Sequence, residues 1–212
     1  MSHDSATDLL VLHAVRILGY ADAPAIAARY ALDEALTQEL LGDAEAYGWV
    51  THTEFAGLGG WSLTDRGRTE NERRLAAELD QVGGASEVGE VYRQFLPLNT
   101  RLQRACTHWQ LRPTDTDPLA ANDHSDSAWD AAVHAELAAI DLALRPLAQR
   151  LGDVLTRLRG YGSRFANARQ RAVAGDGGWV DRTDVDSCHR VWFELHEDLI
   201  ATLGLTRTAA AT

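Results

Sequence analysis

The sequence predicts a mainly α-helical fold that carries one small two-stranded hairpin. Three observations predict it. Apolar residues recur at helical spacing through most of the 212 residues. The clearest strand-type alternation flanks a glycine-rich tip at Gly57, Gly59 and Gly60. Capping residues, prolines and glycines stand where the helical segments begin and end. Apolar residues make up 45% of the chain, enough for a packed core. No run approaches the roughly 18 apolar residues that a membrane span needs. The opening MSHDSATDLL lacks a basic patch followed by an apolar stretch, so a cytoplasmic chain without a secretory signal is expected. Cys106 and Cys188 are far apart and in no CxxC spacing, which predicts two reduced thiols.

The elements follow in order. Residues 8–19 place Leu9, Leu12 and Val15 on one helical face, with Asp4, Ser5 or Asp8 as cap and Gly19 as stop. A short helix over about 24–30 has Asp22 as N-cap and Pro24 in its first turn. A third helix spans 33–47. Asp33 and Glu34 suit its positive N-terminus, Leu36, Leu40, Leu41 and Ala44 form its apolar stripe, and Gly48 ends it. Residues 49–53 and 61–63 read as the two strands of a hairpin. Thr64 caps a helix over 65–80 that holds Arg66, Arg68, Arg73 and Arg74 in its first half. Gly83-Gly84 marks a junction. Beyond it come a helix over 86–112 with Pro97 inside it and a polar loop over 113–126. A helix from about Ser127 to about Arg159, interrupted by Pro146, follows. A short helix runs from Ser163 to about Ala174, and the last spans Val185–Leu203.

Three short helices, a hairpin and a following helix within about 80 residues is the order of a winged helix-turn-helix. The stretch Gly48-Trp49-Val50, the glycine tip, and Trp61-Ser62-Leu63-Thr64-Asp65-Arg66-Gly67-Arg68 resembles the wing of bacterial regulators of the MarR and related families. The resemblance covers about residues 8–80. It implies a DNA-binding winged helix over 1–80, with a helical dimerisation and ligand-sensing domain over 81–212. Asn122-Asp123-His124, Val185–His189 and Val191–Leu199 resemble the C-terminal part of uncharacterised actinobacterial proteins labelled as transcriptional regulators. Some of those are attached to phosphoenolpyruvate-utilising proteins.

Charge opposes the DNA reading. The net charge is −11, and all 20 basic residues are arginine. Residues 1–80 hold 14 carboxylates against six arginines. A DNA-binding surface needs cations against phosphates, so those few arginines would have to gather on one face. In a helix-turn-helix the second helix of the motif enters the major groove. Here that is the 33–47 segment, where Gln38 suits adenine and Thr37 a thymine methyl. The cations in reach are Arg29, His52 on the wing strand, and Arg66 and Arg68 at the wing's base. The wing tip, Glu54–Gly60, carries none.

The second half offers ligand candidates. Asn122, Asp123 and His124 lie in a polar loop, with Trp109 and Trp129 as aromatic neighbours. His189 and His196 are seven apart on one helix, about 10 Å along its axis, with Glu197 near the same face. This is not the HExxH spacing of a zinc site, so a metal would need further ligands from His108, His124 or His134. Core histidines are the plainer reading, and no metal or other cofactor is expected. Arg101 and Arg104, one turn apart, could hold an anion or simply face solvent. Ser187-Cys188-His189 places a thiol beside an imidazole only in sequence, because successive helical side chains diverge by about 100°. No GxSxG, GxxxxGK[ST] or strand–GxGxxG–helix pattern is present, and no enzymatic activity is expected.

These features lead first to a ligand-responsive DNA-binding transcriptional regulator. It would act as a homodimer on double-stranded DNA and respond to a small-molecule effector. The alternative is a winged-helix interaction module that leaves DNA alone. A metal-binding protein or small helical enzyme built on His124, His189, His196 and Glu197 comes third.

Overall fold

The computed structural model describes residues 2–55 and 57–205. The described residues are mainly helical, with one two-stranded antiparallel sheet. The chain divides into two compact units. The first comprises residues 1–88 with 153–157 and 196–212; the second comprises 89–152 and 158–195. Sequence reading drew its boundary after residue 80. The folded chain keeps 81–88 with the first unit and returns two later segments to it.

In the first unit, helix α1 (Thr7–Leu18) is buried from Val11 through Ile17, nearly all round. Its N-cap is Ala6, which offers no side-chain bond, rather than Asp4, Ser5 or Asp8. Gly19 ends it at φ +76°, a conformation that glycine adopts at no steric cost. Helix α2 (Ala23–Arg29) starts where Asp22 accepts from the Ala25 N–H. Helix α3 (Glu34–Ala46) starts the same way, with Asp33 accepting from Leu36 N–H. Its buried residues are Thr37, Leu41 and Ala44. The stripe expected from Leu36 is therefore rotated: Leu36 is exposed, and Thr37 occupies the inward position. Thr37 can do so because its hydroxyl donates to Asp33 O, satisfying the one polar group it buries.

Strands β1 (Val50–Phe55) and β2 (Leu58–Leu63) pair antiparallel, from Val50 against Leu63 to Phe55 against Leu58. Gly59 and Gly60 thus lie within β2 rather than in a loose tip. A Cβ at Gly60 would come within 2.4 Å of the Tyr20 ring, which would have to shift. Helix α4 (Asp65–Gln81) is capped by Thr64, which accepts from Gly67 N–H while its hydroxyl contacts the Gly48 and Trp49 carbonyls. Leu9, Leu75 and Ala201 share one small core, so α1, α4 and the end of the last helix pack together within this unit. His3 brackets residues 154–156 through two backbone hydrogen bonds.

The second unit takes most of helix α5 (Ala85–Gln110) and helix α6 (Ser127–Val154), with Pro97 and Pro146 inside them. It also holds helix α7 (Tyr161–Val173) and the start of helix α8 (Cys188–Leu203). Helix α8 begins three residues later than expected. The segment before it is a turn, in which Ser187 N–H donates to Val185 O. Trp192 anchors the core. Its ring lies 4.7 Å from Phe95 and 5.5 Å from Phe165, and its Nε1 donates to Asn99 Oδ1. No described helix is long and apolar enough to cross a membrane.

Candidate functional site

Two surfaces and one buried cluster gather the chemistry. The first surface is the exposed face of α3 with the hairpin. Helix α3 displays Glu34, Gln38, Glu39, Asp43 and Glu45 and has no basic residue. His52 lies against Trp61, ring centroids 4.8 Å apart, and its backbone N–H donates to Glu45. Gln38 and His52 do share a concavity of about 460 Å³, but its other polar walls are Asp22 and Glu45. Thr37 is fully buried and does not reach this surface. The expected contact from Thr37 is therefore removed by the rotated helix stripe.

The expected arginines do not gather there. Arg29 lies over the Tyr30 ring at 4.6 Å, and its Nε and Nη2 are buried. Arg68 is exposed but sits 3.6 Å from Glu197. Arg73 and Arg74 both grip Glu70, which they hold down to about 2, and Arg74 also pairs with Asp8. Arg66 is exposed and has no ion pair among the described residues. Of the six arginines in residues 1–80, then, Arg66 remains an uncommitted surface cation.

The buried cluster explains where the charge went. His13 is fully buried, with Nε2 3.0 Å from Asp198 Oδ1 and Nδ1 3.3 Å from the Asn71 amide oxygen. Arg157 donates from Nε to Glu78, from Nη1 to Asp198 and from Nη2 to Thr202. Arg16 reaches Glu197 from Nε and Glu72 from Nη1. Burial alone would raise Asp198, but His13 and Arg157 hold it well below the ordinary carboxylate range. Burial lowers His13 in spite of Asp198, and the Arg157 charge adds to that lowering. Neutral His13 donates from Nε2 to Asp198. The Asn71 amide, whose two ends have the same shape, can then turn its NH₂ to the bare Nδ1. The cluster fastens residues 157 and 197–202 to α1 and α4 of the same unit. Glu197 belongs to it, and so is an internal partner of Arg16 rather than part of an open ligand site.

The second surface is a cavity of about 550 Å³ in the second unit. Trp109 is its aromatic wall, with the His124 ring 4.4 Å and the His134 ring 5.2 Å from the indole. Asp130 lines it, as do Gly175, Gly177 and Gly178 from the loop after α7. Asn122 is buried and organises the wall: its Nδ2 donates to Trp109 O and Asp130 Oδ1, and its Oδ1 accepts from His124 N–H. His124 adopts φ +57°, a left-handed conformation held by that bond and by its Nδ1 contact with Asp130. Trp109, Asn122 and His124 thus come together. Asp123 does not line the cavity; its carboxylate accepts from the Ser125 N–H and hydroxyl in a local turn.

His189 is exposed and His196 half-buried, both on α8. Among the described residues no group of three or more His, Cys, Asp or Glu side chains is arranged to hold a metal ion. Arg101 pairs with Glu136 through two hydrogen bonds, and Arg104 lies 3.9 Å from the same carboxylate. Cys106 and Cys188 are free and buried, and desolvation pushes both thiols up to about 12, far from a reactive thiolate. Sequence reasoning missed Asp130, the glycine loop 175–178 and the His13–Arg157–Asp198 cluster. Asp130 carried a usable signal, standing eight residues after Asn122 at the opening of a helix. The cluster had none, because its members lie up to 185 positions apart.

No family model, curated protein or solved structure matches this chain.

Proposed function

We propose that this chain is a regulatory module. Its amino-terminal part has the winged helix-turn-helix element order, works through protein contacts, and does not read DNA with α3. Its second unit senses a small molecule. One observation carries the reading: the exposed face of α3 holds four carboxylates and no cation, with Thr37 turned inward. Each carboxylate brought to about 4 Å from a phosphate costs about 1 kcal/mol even in bulk water. Glu34 and Glu45, on the flank shared with Gln38, would together cost roughly 2 kcal/mol before screening. That is on the order of thirtyfold in affinity, a large share of ordinary non-specific binding.

The element order and the unpaired Arg66 favour a second reading, a DNA-binding regulator. One experiment separates the two. Fluorescence anisotropy of labelled duplexes, random and genomic, is measured at low ionic strength. The expected result is no retention by the natural chain, together with measurable binding by a variant carrying Glu34→Gln, Glu39→Gln, Asp43→Asn and Glu45→Gln. Micromolar binding by the natural chain, lost in Arg66→Ala, would establish the DNA reading instead. Light scattering on the same samples reads the homodimer that either kind of regulator would use.

A further inference from the structure

We infer that the Trp109–His124–His134 cavity binds an organic cation, an amine carried on a flat apolar body. The inference rests on reading the second unit as the sensing part. Its test involves no DNA, so its failure is distinct from failure of the α3 argument.

The charge of the walls selects the ligand. Asp130 is the one carboxylate lining the cavity, and no arginine lines it. Its two carboxylate oxygens take one hydrogen bond each, from Asn122 and His124. A carboxylate has about four acceptor positions, so two remain for an ammonium group. Asp130 is also held in place, because Asn122 is fixed in turn by Trp109 O. The left-handed backbone of His124 is a local cost that the Asn122 and Asp130 bonds sustain, and it sets the imidazole against the indole. Burial, with Arg169 assisting and Asp130 opposing, holds His134 below its ordinary value, so its ring is a neutral wall.

The shape selects a flat body. Gly177 lets the loop lie against the indole, since a Cβ there would come within 2.9 Å of Trp109 Cζ2. Gly175 stands at φ +106°, which a side chain would strain. Val173 is 56% exposed and supplies an apolar side wall. Asp130 opposes phosphates and carboxylates from within the lining, whereas the Arg169 charge that reaches His134 lies outside it.

Calorimetric titration with three probes sharing one ring tests this: phenethylamine, phenethyl alcohol and phenylacetate. The amine should bind about tenfold more tightly than the alcohol, and phenylacetate should not bind. Asp130→Asn should bring the amine down to the affinity of the alcohol while leaving the alcohol unchanged, which also reports an intact cavity. Val173→Arg, at an exposed position, should weaken the amine without touching Asp130. Equal affinity for all three probes, binding of phenylacetate as tight as that of the amine, or no binding of any probe would each overturn the inference.

Discussion

Replacing Arg157 by methionine removes three hydrogen bonds from the interior at once. The guanidinium side chain is fully buried, as is that of Asp198, and Glu78 is nearly so. Asp198 keeps His13 at 3.0 Å and Thr202 at 3.2 Å. Glu78 keeps neither of its oxygens satisfied, because Oε2 loses Arg157 and Oε1 has no partner to begin with. Stranding one member of a buried ion pair costs about 3–5 kcal/mol. The expected result for Arg157→Met is therefore a loss of about 3–5 kcal/mol at neutral pH, roughly 6–20 °C in Tm for a chain of this length. Urea and thermal unfolding followed by circular dichroism measure it. Arg157→Met combined with Glu78→Leu should recover only the share of the loss that comes from Glu78, since buried Asp198 still loses its guanidinium partner. Arg73→Ala, which breaks an exposed pair, serves as the control and should leave the midpoint unchanged. A loss under about 1 kcal/mol would refute the claim that this cluster holds residues 157 and 197–202 to the unit.

Other outcomes follow from the same structure. His13 is lowered in the fold, so the unfolded chain binds its proton first as the pH drops below 6.5. Stability should therefore fall from that point downward, and His13→Gln should flatten the slope in pH-dependent melts. The contribution of Asp198 is fully present above the ordinary carboxylate range and is lost progressively as the pH falls from that range to its strongly depressed value, so it appears as a further loss in acid. Gly67→Ala would place a Cβ 1.8 Å from the Trp49 carbonyl oxygen and should lower the Tm sharply. Gly89→Ala, inside α5 with nothing within 4 Å, should raise stability by about 1 kcal/mol. Cys106 and Cys188 should react with a disulfide reagent only at the rate of unfolding, seen as coincident labelling and unfolding kinetics in mild urea. Fast labelling of the native chain would contradict their burial.

The local code of this chain was legible residue by residue. Asp22, Asp33 and Thr64 each cap the helix they were expected to start, because an N-cap bond spans only three residues and needs no distant partner. Gly19 stops α1 for the same kind of local reason. The hairpin was legible from its alternation, although its glycines proved to serve a strand packed under Tyr20. The face of α3 was read one position off. Leu36 is apolar and Thr37 is not, yet the inward slot took the threonine, whose hydroxyl finds a backbone oxygen within its own helix. Of the candidate ligand residues, Trp109, Asn122 and His124 meet, whereas Glu197 turned out to be half of an internal ion pair.

By itself the sequence determined the helices, their caps, the hairpin and the acid surplus, all of which depend on neighbours a few residues away or on simple counting. The tertiary structure alone decided which charges face water. Arg16 and Arg157 went inside because Glu197, Glu78 and Asp198 waited for them there, brought close by chain segments far apart in order. Desolvated ions must find partners wherever the fold supplies them, and no local pattern records that choice.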